Sequence, residues 1–423
     1  MEIHEKNIRG FMIIYSGQIF SLFGSSLVRF ALIWWLTELT GSAQVLATAS
    51  LMAFLPDLVI GPFAGVLVDR LDRKKIMIAA DGFTALATGV LAILYLRGSL
   101  EVAYVYGLLL ARSLGAAFHF PAMESSIALM VPKNQLQRVS GLKQSVNGLI
   151  NIVGPPVSAF LIAFFPLEWI LTIDIVTALI AIMPLLVTNV PRLENTEKHI
   201  TVSSILSDFK AGFDFLLGWK SLLLFAFMII LVHVVVIPAM SMMPLLVTDI
   251  FGGGATEFAL IESVFGVGIL IGGLVLTAWG GFRKKTKTII SSLILCGFGF
   301  LIVWIGSSTQ FYIGMLGTFV FAFSVSIVAA SIGALQKSVI PVDIQGRVFT
   351  LIRSATNAMP ALGLTITGPI TESIGIKSWY LAGGLIFILV GVSAGLIRDV
   401  RDIEEQRTLD YEMENKKKHH HLH

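Results

Sequence analysis

The sequence predicts an all-α membrane protein: twelve transmembrane helices in two six-helix bundles, related by a pseudo-two-fold axis along the membrane normal. Three observations carry that prediction. The 423 residues are 55% hydrophobic and only 13% charged, about half the roughly 25% charge of a soluble domain. Too little charge is present to clothe a globule of this size, so lipid is the expected solvent for most of the surface. Apolar runs of helix length recur along almost the whole chain, and about 20 such residues cross a hydrocarbon core of about 30 Å. One loop sequence recurs at close to half the chain length. Barrel strands would alternate apolar and polar positions over about ten residues, and no such alternation is seen. Lipid satisfies no backbone hydrogen bond, so helices remain as the way across.

In chain order, the first six spans are expected at 11–37, 45–68, 76–96, 101–123, 139–165 and 168–190. A polar stretch, 191–220, follows as a cytoplasmic linker whose later part suits an amphipathic helix on the membrane surface. The second six spans are expected at 221–248, 256–281, 286–306, 310–336, 346–373 and 377–398. The domains are thus 1–190, a first six-helix bundle; 191–220; 221–400, a second bundle; and 401–423, a cytoplasmic tail. The tail's KKKHHHLH reads as a tag remnant, and its histidines are set aside. The start, MEIHEKNIRG, is polar and lacks a small-residue cleavage site, so no removed signal peptide is expected. Cys296 is the only cysteine, which excludes a disulfide within one chain.

Orientation follows from lysine and arginine. With the N-terminus inside, the inner loops hold Arg70, Arg73, Lys74, Lys75, Lys133 and Arg138, and in the second half Arg283, Lys284, Lys285 and Arg347, while the outer loops offer Arg97 and Lys377. Both termini are expected in the cytoplasm. The repeat lays Val131–Val139 on Ile340–Val348 at an offset of 209 residues, with Arg73-Lys74-Lys75 on Arg283-Lys284-Lys285 at nearly the same offset. Both copies face the same side, which predicts a parallel repeat with a site at the midplane between halves.

The loop after the second span reads Gly65-Val66-Leu67-Val68-Asp69-Arg70-Leu71-Asp72-Arg73-Lys74-Lys75. It resembles the signature of the major facilitator superfamily, departing at Asp72, where the family usually has glycine. The second-half copy, Gly280-Gly281-Phe282-Arg283-Lys284-Lys285, lacks the acid. Arg112-Ser113-Leu114-Gly115 is similar to the family's intramembrane arginine followed by glycine. Gly148 with Gly154-Pro155-Pro156 is similar to the motif of its antiporter-type exporters. At a finer level Leu36–Ser42, Phe54-Leu55-Pro56, Gly61-Pro62 and Phe118–Ala122 resemble the macrolide and multidrug efflux branch.

The resemblance implies a multi-pass transporter of a bacterial inner membrane. It implies export of small amphipathic compounds in exchange for protons, by alternating access. A siderophore exporter, a nutrient importer or a lipid flippase or scramblase on the same scaffold stays open. The partners implied are the substrate, protons and membrane lipids, with a monomer as the unit and no nucleic acid.

Gly65, Asp69, Arg70, Arg73, Lys74, Glu124 and Arg347 are expected to form a latch between halves, with Asp69 facing Arg347 or the helix N-terminus beside it and Arg73 reaching Glu124. Intramembrane charge is costly and functional by default, which singles out Arg29, Asp57, Arg112 and Glu262. Asp57 is expected to pair with Arg29 or Arg112 and to carry a proton when released, although a permanent structural pair satisfies the same residues. Asp174 is expected near the outer interface, and His233 as a hydrogen-bonded interior residue. Gly154 and Pro155 mark a kink. The tryptophans Trp34, Trp35, Trp169, Trp279 and Trp379 are expected to anchor the interfaces. The sequence shows no phosphate loop of the G-x-x-x-x-G-K-S/T kind, no metal-ligand cluster and no nucleophile–base pair. An enzyme is therefore not expected, no cofactor is implied, and the proton gradient is the expected energy source.

Overall fold

A computed structural model describes residues 8–191, 210 and 212–405. The first seven residues, the linker stretch 192–209 and the tail from 406 lie outside the described residues. Twelve long helices follow one another: α1 Ile8–Thr40, α2 Ala43–Arg70, α3 Arg73–Leu96, α4 Val102–Met130, α5 Leu136–Phe164, α6 Leu167–Val187, α7 Lys220–Ser241, α8 Ala255–Trp279, α9 Lys285–Ile305, α10 Phe311–Val339, α11 Val342–Ile374 and α12 Lys377–Leu396. Eleven are long and apolar enough to cross a membrane. The other is α11, which carries Arg347, Arg353 and Glu372 and six serines and threonines from Ser354 to Ser373 that dilute its apolar residues. The later linker is helical over 212–218, burying Leu216 and leaving Phe213 and Leu217 exposed.

Short turns chain the helices. Between α1 and α2 the chain reverses at Gly41, whose φ of 54° suits a residue without Cβ. Its N–H donates to Thr37 O at 2.9 Å, and the next residue, Ser42, caps α2 by accepting from Val45 N at 3.4 Å. The expected seventh span, 221–248, breaks instead at Ser241. A short helix, Met243–Leu245, and a π-helical turn, Leu246–Ile250, follow with Pro244 at the new start, where its missing N–H costs least.

By contacts the chain divides into two compact units. The first gathers α1–α6 with Ser241–Ser263 and Leu364–Gly375. In it α1 lies close to α6: a Cβ on Gly17 would meet Pro184 Cγ at 2.9 Å and one on Gly24 would meet Thr177 Oγ1 at 2.2 Å. The two glycines are two helical turns apart, so they form one seam of close approach. Gly154 makes the same kind of contact with Ser26. α5 is helical throughout 136–164, across Pro155 and Pro156. Met242 and Met243 are fully buried, as are Trp34 and Trp379. Those two tryptophans are corrections to the interface reading. Trp34 packs flat on Phe258 with ring centroids 6.0 Å apart, while Trp169 and Trp279 are exposed as expected.

The second unit gathers α7, most of α8, α9, α10, most of α11 and α12. Helix boundaries fall near the matched segments of the two halves. Val131 ends α4 at φ −95°, ψ 128° and Ile340 ends α10 at φ −86°, ψ 130°, each followed by proline and a new helix. Similarly, α3 starts after Asp72 and α9 after Lys284. Asp72 caps α3, accepting from Lys74 N at 3.1 Å and Lys75 N at 3.4 Å. This gives the departure from the family's glycine a physical use. Lys284 has no acceptor to offer. At α9 the cap comes from the C-terminal segment: Thr286 N donates to Glu404 Oε2 at 3.2 Å.

Lys285 pairs with Glu404 at 3.1 Å, and Lys284 with Glu405 at 2.6 Å and Asp402 at 3.4 Å. The Arg401 guanidinium, hydrogen-bonded to Asp402, holds that carboxyl below its usual range, with Lys284 adding to the effect. Glu405 holds the Lys284 ammonium above its own. The lowered carboxyl contributes stability above its unfolded value, about 3.9, and loses it as pH falls through the folded one; the raised ammonium loses its contribution as pH rises through its folded value. Docking of 402–405 is therefore expected to hold at neutral pH and to weaken with acid. Hydrogen exchange across 398–405, corrected for the intrinsic rate, should accelerate below the carboxylate range. Added salt should do the same at neutral pH, because Lys284, Lys285 and Glu405 are exposed to screening ions.

Candidate functional site: charges held among the helices

The signature loop lies where α2 hands over to α3. The backbones of Gly65, Asp69 and Arg70 belong to α2, while their side chains, and with them the expected Asp69–Arg347 contact, lie outside the described residues. Arg73 opens α3 and is buried at 5% exposure. Lys74 Nζ donates to Leu186 O at 3.0 Å. That carbonyl belongs to the last turn of α6, where acceptors lack helical donors and a cation is favoured. Glu124 has a different partner from the one expected. It binds Lys143 Nζ of α5, because Lys143 lies two turns into α5 at the level of Glu124 near the end of α4. Arg347 is exposed near the start of α11.

Deeper in the first unit, Arg112 and Asp174 form a buried ion pair. Arg112 Nη1 lies 2.5 Å from Asp174 Oδ2, and Nη2 lies 3.4 Å from Oδ1. Thr88 Oγ1 donates to Oδ2 at 3.1 Å and Ser25 Oγ to Oδ1 at 3.2 Å. Asp174 is 2% exposed and Arg112 13%. Four helices thus meet on one carboxylate: α1 through Ser25, α3 through Thr88, α4 through Arg112 and α6 through Asp174. The pair corrects two expectations. Arg112 is not held by Asp57, and Asp174 is no interface residue. Side chains tilt toward the helix N-terminus, so the long arginine reaches back along α4 to the level of an aspartate nearer the start of α6. A buried pair with both oxygens and both guanidinium ends engaged is a fixed strut.

The other predicted charges are more open. Asp57 is exposed on α2, and a Cβ on Gly61 would meet its Oδ1 at 3.1 Å. Arg29 is exposed on α1 and Glu262 is half-buried on α8, and Arg29 is the cation whose charge bears on Glu262. Next to them Phe30 and Phe258 stack at 4.9 Å, and Ser263 Oγ donates to Ile152 O at 2.9 Å. Sequence reasoning linked neither Arg29 to Glu262 nor Asp174 to Arg112, because their partners lie far apart in the chain. It also passed over Asp81 of α3, which Gln18 and His119 face from α1 and α4.

The second unit encloses an apolar cavity of ≈ 120 Å³ between α7, α9, α10 and α12, lined among others by Phe225, Val232, His233, Ile289, Val328 and Phe387. His233 Nδ1 is 2.8 Å from Ile229 O, one turn back. That matches the interior, hydrogen-bonded reading of this residue. An apolar space of this size takes a guest about as large as benzene.

Known proteins extend this picture. The family model described as transmembrane secretion effector matches residues 6–421. Macrolide efflux protein A of Streptococcus pyogenes is 34% identical over 394 residues, covering 93% of this chain and 97% of that protein. Multidrug efflux pump Tap of Mycolicibacterium fortuitum is 24% identical over 391 residues, covering 90% of this chain and 94% of its own. Among solved structures, a bacterial homologue of the iron transporter ferroportin in its inward-facing state superposes with a TM-score of 0.67 at 15% identity, covering 91% of this chain and 98% of that one. The nucleoside transporter NupG does so with a TM-score of 0.67 at 12% identity, covering 89% and 97%. Both likenesses are of fold.

Proposed function

The chain belongs to the major facilitator superfamily, in its transmembrane secretion effector family, and from that membership we propose that it exports small amphipathic compounds, macrolides first among them, in exchange for protons. In this reading α11 also spans the membrane, despite its charges, which brings the spans to twelve. The helices form two bundles of six, related by an axis normal to the membrane, that rock against each other and open a central site to each side in turn. The protein works as a monomer in the bacterial cell membrane, with both termini in the cytoplasm, where the lysine and arginine of the loops are retained.

The observation that carries the proposal is 34% identity to Macrolide efflux protein A, spread over 93% of the chain. Identity of that extent covers nearly the whole chain and not the signature loop alone. Geometry supports the same reading. Exposed Asp57 and Arg29 and half-buried Glu262 lie among helices of the first unit, where a cationic macrolide amine would find carboxylates. The test is expression in a host stripped of its own pumps. The parent chain should raise resistance to erythromycin several-fold, and an uncoupler should abolish the increase. Asp69→Asn should reduce it. Unchanged resistance to every macrolide, in cells shown to contain the protein, would sink the proposal.

A further inference from the structure

The Arg112–Asp174 pair is fully bonded, and a proton added to it would leave a buried arginine uncompensated. A different pair has a vacant proton position. On α3, about 12 Å from its start at roughly 1.5 Å per residue, Asp81 Oδ2 accepts from Gln18 Nε2 at 3.0 Å. Its Oδ1 faces His119 Nε2 of α4 at 3.5 Å. That nitrogen is buried and makes no hydrogen bond among the described residues. Asp81 is 11% exposed and His119 20%, so the two are largely out of solvent yet not sealed. Gln18 is itself buried.

We propose that Asp81 and His119 form the proton-binding site of this transporter, apart from the Arg112–Asp174 strut. The proposal rests on the reading of the chain as a proton-coupled exporter. A proton from water adds to the lone pair of His119 Nε2 and lies between it and Asp81 Oδ1. The missing hydrogen bond forms, charge-assisted, and the net charge of the pair rises from −1 to 0. Release reverses the step. Imidazole is the side chain whose ordinary range lies where a cell's proton gradient operates. Gln18 holds the other carboxylate oxygen, so Oδ1 is kept aimed at the imidazole in both states.

The charged and titratable groups around the pair come from five helices. From α1 the pair is faced by Gln18, with Tyr15 a turn nearer the start. From α4 itself come Arg112, two turns away and paired, and Glu124, paired with Lys143 of α5. α3 contributes Arg73 at its buried start, and α6 contributes Asp174, which Arg112 holds. α2, packed along α4, bears Asp57 and Asp69. Thr84 stands between the two clusters: a Cβ on Gly115 would meet its hydroxyl at 2.7 Å. The polar column therefore runs from Glu124 through Asp81 toward Asp174, with the pair midway.

The full chain in proteoliposomes tests this, with erythromycin as probe. Asp81→Asn and His119→Gln should each cut accumulation driven by an imposed pH gradient by about tenfold or more, while downhill exchange without a gradient stays within about twofold of the parent. Asp81→Glu should keep driven accumulation. Purified parent should also take up about one proton more than His119→Gln on acidification. Driven accumulation that survives in both variants overturns the proposal. Equal loss of driven and downhill flux in all three variants, Asp81→Glu included, also overturns it, because the pair is then structural. A parent that takes up the extra proton but moves no erythromycin in any condition refutes the export reading and leaves the proton site standing.

Discussion

Replacing Asp174 with alanine is expected to leave little folded protein, a loss of about 3–5 kcal/mol. The substitution strands Arg112 at 13% exposure with its principal partner gone. It also removes the acceptor for Thr88 and Ser25. Thr88 can still donate to Thr84 O at 3.0 Å, so the desolvation cost falls mainly on the Arg112 guanidinium. Asp174→Asn should be milder, since an amide oxygen can still accept from one of these donors. The reciprocal change, Arg112→Met, should also destabilise by leaving a buried carboxylate without its cation. The combination Arg112→Met with Asp174→Leu is expected to recover most of the loss, because a buried pair can often be exchanged for packed apolar side chains at little net cost. Yield of monodisperse protein after detergent extraction, followed by size-exclusion chromatography, reads all four variants. If Asp174→Ala is extracted and elutes like the parent, the strut carries no such weight.

A single methyl group at Gly272 is expected to cost about 1–3 kcal/mol, the range for overpacking a core. Its Cβ would lie 2.2 Å from Phe323 O and 2.2 Å from Ser326 Oγ, both on α10. The hydroxyl can turn away, but the carbonyl is backbone and α8 must back off. Gly268, one turn earlier, meets the same helix: its Cβ would lie 2.7 Å from that of Ala322 and 2.9 Å from Phe319 O. The two glycines let α8 and α10 approach along a groove of small residues, which is how helices gain packing in lipid. The neighbouring Gly273 has nothing within 4 Å of a Cβ position, so Gly273→Ala is expected to be neutral or slightly stabilising. Cys296 reports on both. It is the only cysteine and is fully buried in the same unit, so a thiol-reactive dye labels it only as that unit opens. Gly272→Ala should label at a lower temperature than the parent and Gly273→Ala should not. Equal midpoints for the two would refute the close approach.

Much of the fold was legible because hydrophobic length is a local property. The run from Leu167 to Val187 declares a spanning helix whatever its neighbours do. The paired segments around Pro132 and Pro341 likewise suggested a repeat, and Val131 and Ile340 share the extended backbone expected of a residue before proline. The break after Ser241 was missed because Met240–Leu246 stays apolar, and hydropathy does not distinguish a π turn from a helix. The tryptophan reading went half wrong for a related reason. Trp34 and Trp169 both lie near span ends, but which way each faces depends on the helix packed beside it.

The site was legible as a set of residue types and largely illegible as a set of pairs. Arg112 stood out at once, because an arginine inside an apolar run needs an explanation. Its partner could not be read, since Asp57, Asp174 and Glu262 compete and depth along a helix discriminates poorly among them. Gln18, Asp81 and His119 are separated by long stretches of chain, and each alone is an ordinary polar residue of a membrane protein.

Hydropathy by itself determined that this chain lives in a membrane and spans it with helices. Those properties depend on each segment's own solvation, which a residue brings with it. Tertiary structure alone decided that Asp174 neutralises Arg112, that Lys143 takes Glu124, that Glu404 caps α9 and that Asp81 meets His119. Ion pairs and hydrogen bonds act over a few ångströms, and only the packing of helices decides which distant residues come that close.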